Sequence, residues 1–229
     1  MGKLFDLESP IMRTLGRIGD LLILNMLMII CCIPIITAGA AFTAMHYVLL
    51  KMIRDEEGYL IRGFFKSFAL NFKQATLIWF LMLFVIVIYA LDIIIFSRSG
   101  IVFPRALVIA FFALGILMFL IAMYVFPLLA RFDNTIRNTL KNAVIISFAN
   151  IPKTVLMAFF YALPLIIGYY SFYSYIFIFM FGITGPAYGA AWLYSKIFKK
   201  YEPQTEQASD LDFSLNVEWG EEETNGEAE

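Results

Sequence analysis

The chain has 229 residues, of which 61% are hydrophobic and only 15% charged. A soluble domain carries about 25% charged residues, so this composition excludes an ordinary soluble fold. The net charge of −1 hides a split: from Tyr201 onward there are ten acids and no Lys or Arg, so all 17 basic residues lie in the first 200.

The opening stretch combines a basic region with an apolar one, like a secretory signal, but lacks a prompt small-x-small cleavage site and is followed by further apolar runs. It reads as a retained first span. Ser9-Pro10 reads as a helix start, with Ser as N-cap and Pro at the first helical position. Ile11, Met12, Leu15 and Ile18 share a face there, which suggests an interfacial helix feeding the span.

From Ile18 to Leu50 the only ionisable residues are Asp20 and His46. A single helix of that length would measure about 50 Å, against a hydrocarbon core of about 30 Å. Pro34 and Gly39 supply the break, giving spans Ile18–Ile35 and Ala38–Ile53 around a tight turn at Ile36-Thr37. Cys31 and Cys32 are adjacent in the apolar run and form no disulfide framework. The remaining spans read as Ala75–Phe96, Phe103–Ala130, Thr154–Tyr170 and Tyr173–Lys196.

The fold class is therefore all-α: a polytopic transmembrane helix bundle over residues 1–200, followed by an acidic, disordered C-terminal tail over 201–229. With six spans, 15 of the 17 Lys and Arg fall on one side and only Arg98 and Arg105 opposite. With five spans the division is 12 against five. The positive-inside rule prefers six spans in the plasma membrane with both termini cytoplasmic; five, without the short second span, is the alternative.

Two amphipathic segments are expected at the cytoplasmic face. Ile61, Phe64, Phe65, Phe68 and Phe72 form one stripe beside Arg62, Lys66 and Lys73, and Ile136, Leu140, Val144, Phe148 and Ile151 form another beside Arg137 and Lys141. Basic helices of this kind suit an anionic leaflet. The two regions echo each other: LLKMIRD precedes the first and LLARFD the second, and Ser67-Phe68-Ala69 matches Ser147-Phe148-Ala149. A second echo links ITAGAAFTAMHY to ITGPAYGAAWLY. Duplication and chance similarity of low-complexity apolar sequence both explain these. In the tail, Leu211, Phe213, Leu215, Val217 and Trp219 alternate with polar residues, as in a strand that adds to a partner's sheet edge or in a solvated tail.

Functional candidates are few. His46 is the only histidine, and an intramembrane ionisable group is a candidate proton carrier or ligand-binding residue by default; the plainer reading is a hydrogen bond between helices. Asp20, Asn25 and Asp92 read as groups near the membrane surfaces. Pro34 and Gly39 mark one broken segment, and Gly185 and Pro186 another, where a break can expose carbonyls to a substrate or small residues can pack helices closely. No catalytic, metal-ligand or phosphate-loop motif is present, so no catalytic residue, metal or cofactor is expected, and the basic residues at one membrane edge point to lipid rather than nucleic acid.

The stretch CCIPIITAGAAFTAMHYVLLKMIRDEEGYLIRGFFKSFALNFKQAT resembles the YesL-like family of bacterial integral membrane proteins of unknown function. The resemblance covers Pro34 to Ala40, Ala44 to Lys51, and the Arg-Asp-Glu-Glu-Gly and Phe-x-Lys-x-Phe-x-x-Asn-Phe-Lys-Gln-Ala-Thr runs, and is looser after residue 80. It implies a Gram-positive membrane protein encoded near carbohydrate ABC importers and two-component regulators, with importer permease or ATPase subunits as partners. It carries over no site residues. The expected function is a non-enzymatic accessory of such an uptake or sensing system, with a stand-alone small-solute transporter or channel as the alternative.

Overall fold

The computed structural model describes residues 10–56, 58–98 and 104–202. Over these the chain forms α1 (Pro10–Cys32), α2 (Ala38–Ile53), α3 (Leu60–Arg98), α4 (Arg105–Arg131), α5 (Ile136–Ala149), α6 (Ile151–Tyr170), α7 (Tyr175–Phe181) and α8 (Thr184–Phe198). Five segments, Met12–Cys32, Ile35–Ile53, Leu60–Arg98, Arg105–Arg131 and Ile151–Tyr170, are long and apolar enough to cross a membrane. The pair α7 and α8, bent by 48°, makes a sixth if the two form one broken span, and leaves five if they form a re-entrant loop. The chain is a multi-pass membrane protein.

The short second helix is the centre of the bundle. Eleven of the 16 residues of α2 are buried, against five of the 39 of α3. Its small side chains allow this, because helices inside lipid associate through close packing rather than hydrophobic expulsion. At Gly39 the approach is closest: a β-carbon there would lie 2.6 Å from the Ala75 carbonyl oxygen and 2.6 Å from Trp79 Cβ. The glycine expected to loosen the chain instead lets α2 lie against α3. Between α1 and α2, Pro34 begins a short 3-10 turn over Ile35–Thr37, as expected from its lost N–H. The Thr37 hydroxyl donates to the Pro34 carbonyl at 2.8 Å, and Trp79 Nε1 donates to the Ile35 carbonyl at 2.8 Å.

The structure corrects several boundaries. The interfacial segment after Pro10 and the first span are one helix, α1, ending at Cys32 rather than Ile35. The segment Ile61–Phe72 is not a separate surface helix but the first part of α3. Its aromatic stripe also turns inward: Phe64 is fully buried, and Phe68 and Phe72 pack on the core, while Ile61 and Phe65 stay exposed. The groove offered by α2 takes the face that was expected to meet lipid headgroups. α5 is separate, but its buried face is Thr139, Ala143, Ile146 and Ser147, one step around from the expected stripe. Pro152 explains the contrast between the two echoes. It falls in the first turn of α6, where its missing N–H is tolerated but helix cannot continue in from α5. No proline interrupts α3 near Gln74, so that helix runs through for about 58 Å.

The span expected over Tyr173–Lys196 is broken at Gly182-Ile183. Asn25 mends the break. Its Nδ2 donates to the Phe179 carbonyl at 2.8 Å and its Oδ1 accepts from the Thr184 N–H at 3.3 Å, while Thr184 Oγ1 donates to the Leu21 carbonyl at 3.1 Å. Asn25 is fully buried within the bundle, and Asp92 is exposed on its outside.

Because a side chain at Gly39 must push α2 from the α3 backbone, Gly39→Leu is expected to lose about 2 kcal/mol of stability, in the range for overpacked cores. Denaturant titration in detergent, set beside an exposed control such as Leu70→Ala, measures it.

Candidate functional site

Two places in the bundle gather polar chemistry. The first lies around His46. On α2, His46 faces α8 and is 4% exposed. Its ring meets Tyr194 edge-on at 5.8 Å, and Tyr194 stands edge-on to Tyr124 at 5.4 Å. Both tyrosines are satisfied: Tyr194 donates to the Met123 carbonyl at 2.7 Å, and the Tyr124 hydroxyl shares a hydrogen bond of 2.7 Å with Thr154 Oγ1. His46 Nδ1 is buried without a hydrogen-bond partner, so the expected hydrogen bond between helices is not made at that atom. The imidazole lines a cavity of about 340 Å3 with Phe42, Trp79, Met82, Phe126 and Tyr161. Trp79 and Tyr161 carry the other polar side-chain atoms among its lining residues, which are otherwise apolar.

The second place is an ionic knot at one end of the bundle. Arg54, just past α2, donates to Glu202 Oε1 at 2.5 Å. Arg131, the last residue of α4, donates to the same oxygen at 2.8 Å. The Glu202 side chain is 6% exposed. Arg131 also lies 3.9 Å from Glu56, and Arg17 of α1 pairs with Asp55, which holds a left-handed backbone at φ 53°. The two arginines come from the echoed LLKMIRD and LLARFD runs, so the echo has a structural counterpart: both deliver a cation to one carboxylate. Burial pushes the Glu202 carboxyl up, but hydrogen bonds and charge from Arg54 and Arg131 outweigh it and hold the group below its ordinary value. Glu202, assigned to the disordered tail, is ordered here; the alternating segment Leu211 to Trp219 lies outside the described residues.

The other expected residues do not converge on His46. Pro34 and Gly39 belong to the α1–α2 turn and the α2–α3 contact. Gly185 and Pro186 occupy the first turn of α8 and line a separate apolar cavity of about 420 Å3 with Phe160, Leu163 and Pro164. Pro186 lacks only an N–H that has no partner within a helix there. At the nearby break, Asn25 takes the Phe179 carbonyl and the Thr184 N–H. Sequence reasoning missed Tyr124, Tyr194, Arg54, Arg131 and Glu202. The echoed ends Arg54-Asp55 and Arg131-Phe132-Asp133 were its one available signal.

Residues 21–93 match the model of a protein family described as Protein of unknown function, DUF624. That stretch is similar to the DUF624 family. It runs from α1 to near the end of α3 and so contains the α2–α3 contact and His46. The YesL-like family is a DUF624 family, so the resemblance is borne out. No curated protein and no solved structure matches the chain.

A carboxyl whose value is lower folded than unfolded contributes stability above its unfolded value of 4.5 and loses it as pH falls below that. Glu202→Gln is therefore expected to cost about 2 kcal/mol at pH 7, within the range for hydrogen bonds to charged groups. The gap to wild type should begin to narrow below pH 4.5 and be smaller at pH 4 than at pH 7, closing only as pH falls through the lower folded value. Denaturation in detergent at both pH values tests the sign.

Proposed function

We propose that this chain is a non-enzymatic accessory of a carbohydrate uptake or sensing system in the plasma membrane, with both termini in the cytoplasm. The observation that carries this reading is the separation of chemistry along the bundle. Its core is apolar, while basic residues crowd the end where Arg54, Arg131 and Glu202 meet. Arg62, Lys66 and Lys73 on α3, and Arg137 and Lys141 on α5, are exposed around that end. An excess of cations marks it as the cytoplasmic side under the positive-inside rule. Arg62 and Lys66 also line a cleft of about 650 Å3 with Lys51, Tyr47 and Tyr59, beside half-exposed Ile61 and Phe65. Charged and aromatic groups around a concavity suit a protein partner. The YesL-like resemblance supports an importer permease or ATPase subunit as that partner.

A stand-alone transporter for a small polar solute ranks second. It needs a passage with polar walls, and the cavity at His46 is walled mostly by aromatic and aliphatic side chains.

A photocrosslinker placed at Tyr59, exposed on the same cleft, is expected in the native membrane to capture a permease, ATPase or sensor component. The double change Arg62→Glu and Lys66→Glu should abolish the adduct and leave thermal unfolding unchanged. Adducts with lipid alone would overturn the docking reading.

A further inference from the structure

The cleft of about 650 Å3 between the end of α2 and the start of α3 sets three cations, Lys51, Arg62 and Lys66, against one described acid, Glu56. Glu56 is already engaged: it lies 3.9 Å from Lys51 and 3.9 Å from Arg131. Arg62 and Lys66 are exposed and form no ion pair with any described residue. They stand four residues apart on α3, hence on one face and about 6 Å apart along its axis. Tyr59 and Phe65 add exposed aromatic surface to the same cleft.

The described residues end beside it. Glu202 accepts from Arg131 Nε at 2.8 Å, Arg131 lies 3.9 Å from Glu56, and Glu56 lines the cleft. The chain therefore leaves the bundle two side-chain contacts from the open cations. Glu202 is the first of the ten acids after Tyr201, so nine acids and no Lys or Arg follow in residues 203–229.

We propose that residues 210–219 of this chain dock in the cleft, with Asp210 and Asp212 on Arg62 and Lys66. Eight residues separate Glu202 from Asp210, an extended reach of about 28 Å, ample for so short a gap. Alternate residues of an extended segment repeat at about 6.6 Å, close to the spacing of the two cations. Leu211 and Phe213, between and after these acids, bring apolar surface to Tyr59 and Phe65. The tether holds the segment at millimolar effective concentration, so weak exposed charge pairs are enough to populate the contact. The other open concavity at this end, of about 560 Å3, sets Lys73 against Asp133 and has no aromatic lining residue, so it offers the acidic segment less. A partner at the cleft must displace the tail, but the contact itself stands whether or not such a partner exists.

The test uses the purified full chain in nanodiscs of zwitterionic lipid, with Tyr59 replaced by a benzophenone amino acid. No Lys or Arg follows Lys200, so trypsin releases the tail as one peptide from Tyr201, and mass spectrometry counts its adducts. The tail adduct should form within monomers. Asp210→Asn, Asp212→Asn and Glu218→Gln together leave the tail attached and should cut the yield about fivefold or more, in the range for several exposed charge pairs. Arg62→Glu with Lys66→Glu should do the same, and adding Asp210→Lys with Asp212→Lys to that pair should restore the yield. Unchanged thermal unfolding confirms that each variant folds. A yield that ignores the charge of the tail, a charge swap that restores nothing, adducts with lipid alone, or tail adducts found only at dimer mass would each overturn the proposal. The sample holds no other protein, so its outcome is read separately from the capture of a transporter subunit.

Discussion

At Gly39, α2 lies so close to α3 that a β-carbon would stand 2.6 Å from the Ala75 carbonyl oxygen. Much of the architecture follows from that contact. It brings a short helix of small residues to the centre, with α1, α4 and α8 packed around it. It turns Phe64 inward and places Trp79 where its indole reaches the Ile35 carbonyl. In a bilayer the contact must come from shape, because lipid tails solvate a leucine as well as a neighbouring helix does. Small residues on α2 supply that shape, so 16 residues are enough for a central helix.

The two ends of α2 face different physics. At its start, the turn is held by backbone carbonyls accepting from Trp79 and Thr37. Past its end, Arg54 and Arg131 converge on Glu202 and join α2, α4 and the residues after α8. A carboxylate shared by two guanidinium groups is stable where water is scarce only if its oxygens are satisfied. Here Glu202 accepts from both arginines. His46, midway along the same helix, has no such compensation at Nδ1, and within the knot Arg54 Nε is likewise buried without a partner.

Membrane character, the turn at Pro34 and the burial of His46 were all legible in the sequence. Long uncharged runs force helices, and proline removes a donor wherever it stands. Pairing across the bundle was not legible. Glu202 looks like the first acid of a polar tail until two arginines from distant helices meet it. Asn25 looks like an interfacial residue until the α7–α8 break is placed beside it. The continuity of α3 was readable in principle, because Pro152 ends the second amphipathic segment and nothing comparable stands near Gln74. Periodicity alone could not reveal it, since a helical stripe looks the same whether its partner is a headgroup layer or another helix.

An unbroken α3 also has a mechanical meaning. The same rod carries Arg62 and Lys66 at one end and Met82 and Ile86, walls of the His46 cavity, farther along. Between them lies the Ala75 contact with Gly39, a natural fulcrum. A helix with no proline and no gap in its hydrogen-bond ladder resists bending. α5 and α6 are separate helices, and the Thr154 hydroxyl of α6 bridges their junction by donating to the Ser147 carbonyl of α5 at 3.1 Å. Of the two echoed limbs, one is a continuous rod and the other is divided ahead of Pro152.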